Sequence, residues 1–146
     1  MFLKICFYLA FCSLAIVAGC AHSKDFPQHY KHDQIHFGQG GGFTGMLTYY
    51  ALLEDGRLYQ RDIKDSSFTQ VDTWKHDFVT QMFSNYKLFR FDTIDHYEPG
   101  DIYYFIEYHS SDKPIHRIAW GRPGFKPENN IVTYYNLLYK STKSKS

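Results

Sequence analysis

All three cysteines of this 146-residue chain, Cys6, Cys12 and Cys20, lie within its first 20 residues. A domain formed by the residues that follow therefore has no disulfide bond and depends on its packed core alone. Aromatic residues can supply that core, because 13 Phe, 13 Tyr and 2 Trp make up 19% of the sequence and large rings bury much apolar surface per residue. The length and composition indicate a single domain.

The first 19 residues have the pattern of a secretory signal. One charge, Lys4, precedes an apolar stretch that ends in small residues. The stretch is shorter than the roughly 20 residues that a membrane-spanning helix needs. We therefore predict a cleaved signal peptide over residues 1–19, with a retained anchor helix as the alternative.

The end of this signal, Val17-Ala18-Gly19-Cys20, resembles the lipobox of bacterial lipoproteins. The resemblance implies that the chain is cut before Cys20 and that this cysteine carries the lipid. Ala21 after the cysteine implies delivery to the outer membrane of the cell envelope. The alternative for Cys20 is an ordinary buried thiol or a disulfide partner.

Residues 20–36 continue as a polar segment without helix or strand periodicity, which predicts a lipidated N-terminus and a flexible tether. The segment contains His22, His29, His32 and His36. On a helix the last three would lie about one turn apart and form a metal-binding face. Because no cysteine or carboxylate completes a known ligand spacing, we favour a solvated linker and predict no metal site.

A glycine-rich stretch, FGQGGGFTG, occupies residues 37–45 and formally contains the pattern GxGxxG. A dinucleotide site requires a strand before this pattern and a helix after it. Here residues 46–53 are rich in β-forming side chains. We therefore predict a turn or bulge, or a close approach of the chain to a neighbouring element, followed by a strand.

The rest of the chain predicts a second strand over residues 57–61, a polar turn over 64–69, and then a helix. Trp74, Phe78, Met82 and Tyr86 have the helical spacing of a core-facing stripe. Residues 102–108 alternate as a strand that pairs with residues 115–120, and the spacing over residues 131–138 predicts a last helix.

The expected fold is therefore of the α+β class, with one domain over residues 37–140. It is a small antiparallel sheet of two hairpins with two helices packed on one face, in the order hairpin, helix, hairpin, helix. Residues 141–146 are expected to form a disordered tail.

Charge and motifs exclude several classes of function. The 16 Lys+Arg and 15 Asp+Glu nearly cancel, which argues against a nucleic-acid partner. No nucleophile elbow, zinc-hydrolase motif or kinase motif is present. Asp92, Asp95, Glu98 and Asp101 could hold calcium, but they lack the EF-hand order and favour a solvated turn. We expect no catalytic residue and no cofactor.

A binding face is the more specific functional prediction. Tyr49, Tyr103 and Tyr104 lie on predicted strands, and Trp120 ends the last one. Tyrosine combines a rigid ring with one polar tip, which suits recognition of proteins or carbohydrates, and Arg117 could bind a carboxylate or phosphate. The alternative is that these rings complete the core.

Residues 37–140 resemble small, uncharacterised lipoproteins of Gram-negative bacteria in their glycine-rich opening and hairpin-helix units. That resemblance transfers no activity. We expect a lipid-anchored cell-envelope protein that acts as a binding or accessory module, attached to the membrane through its lipid, with an envelope protein or a glycan as partner. A periplasmic inhibitor or an envelope-assembly accessory is the alternative, and an enzyme comes third.

Overall fold

A seven-stranded β-sheet organises residues 26–143, the part of the chain that the computed structural model describes. In chain order the elements are β1 (Gln34–Gly41), β2 (Met46–Leu53), β3 (Arg57–Arg61), β4 (Phe68–Thr73), α1 (His76–Leu88), β5 (Tyr97–Glu98), β6 (Ile102–His109), β7 (His116–Trp120) and α2 (Asn129–Ser141). Short 3₁₀ turns lie at Pro27–His29 and Phe91–Thr93. The strand order across the sheet is β4-β3-β2-β1-β6-β7-β5. Only β5 and β7 pair in parallel, so the sheet is mixed.

The prediction of a small antiparallel sheet made of two hairpins is wrong. The chain is α+β overall, but β1, β4 and β5 enlarge the sheet to seven strands. β4 begins inside the predicted polar turn. The sequence does not predict this edge strand, because it is largely exposed and shows no apolar alternation. β5 has two residues, which is too short to produce a sequence pattern.

β1 is the central strand, and it begins inside the predicted tether. It pairs along its whole length with β2 on one side and with β6 on the other. Residues 34–36 therefore belong to the sheet, and Ile35 is fully buried. The strand is hard to recognise in the sequence because Gly38 and Gly40 interrupt the side-chain alternation.

Gly38 and Gly40 allow aromatic rings from β6 to lie over the central strand. A Cβ atom at position 40 would lie 2.7 Å from the ring of Tyr103, and one at position 38 would lie 3.1 Å from the ring of Phe105. The predicted close approach of a neighbouring element is confirmed, and β2 spans the predicted residues 46–53.

Both helices cover the same face of the sheet and build the main core with it. The buried helical side chains are Val79, Met82, Phe83 and Tyr86 in α1 and Ile131, Tyr134, Tyr135 and Leu138 in α2. Strand residues from alternate positions pack against them, including Ile35, Phe37, Leu52, Leu58, Ile106, Ile118 and Trp120. The apolar side predicted for the last helix is confirmed. We call the opposite side of the sheet the open face.

The predicted signal peptide, the lipobox and Cys20 lie outside the described residues. So do residues 144–146 of the predicted tail, whereas Ser141 is the last residue of α2. Within residues 26–143, neither helix has the length and apolar composition needed to cross a membrane.

Candidate functional site

Four polar side chains, His36, Tyr49, Glu107 and His109, converge on the open face; we call them the polar cluster. The β1–β6 register places His36 directly beside Glu107. Tyr49 on β2 and His109 on β6 project from the same face, because side chains alternate along each strand. His36 is only 5% exposed and Glu107 8%. Two distant parts of the chain therefore meet in a shielded polar site.

A continuous chain of close polar contacts joins these side chains. Nδ1 of His36 lies 2.8 Å from the hydroxyl oxygen of Tyr49. Tyr49 in turn donates to Oε2 of Glu107 at 2.8 Å. Nε2 of His109 lies 2.9 Å from the same carboxylate oxygen. The two imidazole rings stack with their centres 3.7 Å apart, so the cluster is compact.

The hydrogen bonds of Gln34 determine the tautomer of His36. Nε2 of Gln34 donates to the carbonyl oxygen of Pro27 at 2.9 Å and also faces that of Tyr30 at 3.5 Å. The amide oxygen of Gln34 is therefore the atom that accepts from Nε2 of His36, at 2.9 Å. A neutral imidazole has one N–H and one lone pair, so the lone pair of His36 lies on Nδ1.

Burial keeps His36 neutral, whereas hydrogen bonds keep Glu107 ionised in spite of its burial. Burial lowers the pKa of His36 to about 3. Burial alone would raise the pKa of Glu107, but hydrogen bonds from His109 and Tyr49 outweigh it and lower that pKa. Burial, reinforced by Glu107, raises the pKa of Tyr49 far above its ordinary value. The cluster thus combines a neutral imidazole, a carboxylate and a protonated phenol.

A cavity of about 570 Å³ opens over the polar cluster. Its lining residues are Pro27, Gln28, Tyr30, His32, Gln34, His36, Tyr49, Arg61, Ser66, Phe68, His109, Ser110, Ser111 and Ile115. This volume lies in the range of small-molecule sites. None of the described lining residues is acidic, whereas an arginine and three histidines are among them. The lining therefore favours ligands with anionic or hydrogen-bond-accepting groups.

Arg61 supplies the positive charge of the cavity wall. Its guanidinium carbon lies 5.5 Å from the centre of the Tyr49 ring, and Nη2 donates to the Ser66 hydroxyl at 2.9 Å. Among the ion pairs of residues 26–143, none involves Arg61. No carboxylate of the described residues therefore forms an ion pair with it.

The structure divides the predicted binding residues between the two faces. Tyr49, Tyr103 and Arg117 lie on the open face, and Arg117 pairs with Glu107 at 3.4 Å. Tyr104 and Trp120 lie on the helix-covered face, where their rings stack with centres 5.8 Å apart and both contact Tyr135. Trp120 is only 7% exposed. These two rings therefore belong to the core, and of the five predicted residues only Tyr49 lines the cavity.

The histidines of the predicted tether also separate. His36 joins the polar cluster and His32 lines the cavity. His29 lies in the 3₁₀ turn, and His22 is outside the described residues. His36 is the only one of the four that the structure places among converging ligand atoms within residues 26–143.

Glu107, His109 and Gln34 were not predicted as site residues. The sequence does hold one signal for them, since Glu107 and His109 are two residues apart on a recognisable strand and so share a face. Their convergence with His36 depends on the pairing of β1 with β6. That pairing cannot be read from the sequence while β1 is taken as a tether and loop.

The four carboxylates that we considered as a calcium site, and for which we favoured a solvated turn, do not converge. Glu98 forms an ion pair with Arg122 at 3.0 Å, and Asp92 lies in the second 3₁₀ turn. Within the described part of the chain, neither they nor Asp95 and Asp101 belong to a group of three potential metal ligands.

Comparison of the chain with models of known protein families and with curated proteins finds no match. Function is therefore inferred from the residues of the site itself.

Proposed function

We propose that this protein is a lipid-anchored binding protein of the cell envelope and that the cavity on the open face is its binding site. The observation that carries the proposal is the cavity of about 570 Å³, whose lining includes His36, Tyr49 and His109 of the polar cluster. A concave site with a few converging polar groups is the usual form of a small-molecule site. The lipobox Val17-Ala18-Gly19-Cys20 supports the anchor and the envelope location.

The lining supports a small ligand that carries an anionic group and several hydroxyls. Arg61 offers a planar set of donors that match a carboxylate. The rings of Tyr49 and Phe68 offer flat apolar surfaces, and the serine hydroxyls can donate or accept hydrogen bonds. An acidic sugar unit has this combination of groups and belongs to the glycans that we predicted as envelope partners.

Saturation-transfer NMR with D-glucuronate and D-glucose as probes tests this proposal on the detergent-solubilised protein. The two sugars differ in the carboxylate that Arg61 would bind. We expect clear saturation of glucuronate and much weaker saturation of glucose. Replacing Arg61 by glutamine should reduce the glucuronate signal to the level of glucose.

Arg122→Gln provides the matched control, because Arg122 pairs with Glu98 and does not line the cavity. This variant should keep the preference for glucuronate. Equal signals for the two sugars with the wild-type protein would contradict the proposed ligand class. An unchanged glucuronate signal in Arg61→Gln would show that the sugar binds elsewhere.

A further inference from the structure

The polar cluster has the donor set of a metal site. One ring nitrogen from each of His36 and His109 and one oxygen of Glu107 all lie within 4.8 Å of one another. A tetrahedral ion with bonds of about 2.0–2.1 Å holds its ligand atoms about 3.4 Å apart. No two of the three atoms are therefore more than about 1.4 Å farther apart than such an ion requires. His109, whose side chain is 22% exposed, has room for that adjustment.

The proton count of the cluster also favours a cation. The lone pair on Nδ1 of His36 and the carboxylate of Glu107 each lie 2.8 Å from the hydroxyl of Tyr49. That hydroxyl has one proton and can donate to only one of them. The other contact brings two lone pairs together without a hydrogen. A cation bound to Nδ1 and to the carboxylate removes this repulsion.

Neighbouring groups hold the ligands as they are held in known metal sites. A metal-bound histidine usually donates its second ring N–H to a carbonyl or carboxylate oxygen. His36 does so to the amide oxygen of Gln34. Arg117 approaches Oε1 of Glu107, whereas Oε2 lies 2.9 Å from Nε2 of His109 and accepts from Tyr49. Arg117 thus orients the carboxylate through Oε1, and Oε2 is the oxygen that would bind the metal ion.

We propose that His36, Glu107 and His109 bind a divalent transition-metal ion on the open face. Two imidazoles and one carboxylate suit zinc, copper, nickel, cobalt or iron better than magnesium or calcium, which prefer all-oxygen sites. The hydroxyl of Tyr49 lies beside these ligands as a further oxygen donor. With one carboxylate against two positive charges, the site keeps a net charge of +1 that would attract an anionic group in the cavity.

This inference goes beyond the proposed function, because metal uptake in the absence of any sugar is measured independently of ligand binding. Calorimetric titration with Zn²⁺ alone, after chelator treatment and dialysis of the detergent-solubilised full chain, gives the stoichiometry and affinity. Co²⁺ absorption then reports the ligand field. We expect one saturable site per chain and d–d absorption bands for bound cobalt.

Two variants locate the ion. His109→Gln should weaken zinc affinity by at least about 100-fold, since loss even of a supporting group weakens metal sites by 10- to 100-fold. His109 is the better first target, because His36 is buried and its replacement can also disturb folding. Circular dichroism of His109→Gln should match that of the wild type, and Glu107→Gln should cause a comparable loss of affinity.

His29→Gln and His96→Gln are the controls. His29 lies in the N-terminal turn, and His96 pairs with Glu128 away from the cavity. Both variants should keep wild-type zinc affinity. The inference is overturned if the wild-type protein shows no saturable uptake, if His109→Gln binds as tightly as the wild type, or if only His29→Gln loses the ion. None of these results decides whether glucuronate binds, because the saturation-transfer measurement tests that separately.

Discussion

Replacing Phe37 by alanine is expected to lower the free energy of unfolding by about 3–5 kcal/mol. Phe37 is completely buried in the central strand. Its ring stacks on Tyr50 at a centroid distance of 5.6 Å and lies 6.3 Å from the ring of Trp74. These neighbours belong to the main core and cannot close the space that the ring leaves. Chemical denaturation followed by circular dichroism measures the loss.

Phe43→Ala is the matched control for this measurement. Phe43 lies in the turn after β1 and is completely exposed, so its replacement should change the free energy of unfolding by less than about 0.5 kcal/mol. Similar losses for the two variants would mean that Phe37 does not lie in the core of the sheet as described.

Gly38→Ala is expected to lower the free energy of unfolding by about 3 kcal/mol or more. A Cβ atom at this position would overlap the carbonyl oxygen of Thr48 on the paired strand β2 and would lie 3.1 Å from the Phe105 ring. The ring can turn aside, but the carbonyl belongs to the backbone. The substitution therefore forces apart β1 and β2 at the centre of the sheet. Thermal and chemical unfolding of the purified variant measure the effect.

Gly124→Ala separates this overlap from the general effect of replacing glycine. Gly124 has a φ of 86°, and nothing lies within 4 Å of the position that its Cβ would take. Alanine at this position should lower the free energy of unfolding only by the strain of the left-handed conformation, about 1–2 kcal/mol. If Gly38→Ala were no more harmful than Gly124→Ala, the close pairing of β1 with β2 would be contradicted.

Strongly patterned elements of this fold could be predicted from the sequence. β6 is rich in β-forming side chains and spans Ile102–His109, close to the predicted 102–108, and the α2 stripe of Ile131, Tyr134, Tyr135 and Leu138 is buried as its spacing indicates. β1 could not be predicted in the same way. Its residues at positions 38 and 40 are glycines, which carry no side chain for an alternating pattern. Its polar residues on the open face, Gln34 and His36, are typical of a solvated spacer in the sequence, and only the structure shows the hydrogen bond that joins them.

The candidate site was only partly predictable for the same reason. The sequence predicts Tyr49 as a strand tyrosine of a binding face, and its side chain lines the cavity. Tyr104 and Trp120 have the same local pattern but point to the helices. This difference could not be predicted, because alternation shows which residues share a face and not which face the helices cover. Many of the aromatic rings pack in the core. They supply the buried apolar surface that stabilises a domain without a disulfide.

Native mass spectrometry of the protein extracted from its own membranes detects the lipid anchor and the content of the cavity in one experiment. We expect a chain that begins at a lipid-modified Cys20 and carries a bound metal ion or small anionic molecule. We also expect an Arg61→Gln, His109→Gln double variant to keep the lipid and to lose that bound group. A chain that retains residues 1–19, a wild-type protein with nothing bound, or the same bound group on both proteins would show that the protein is not a lipid-anchored binding protein of this kind.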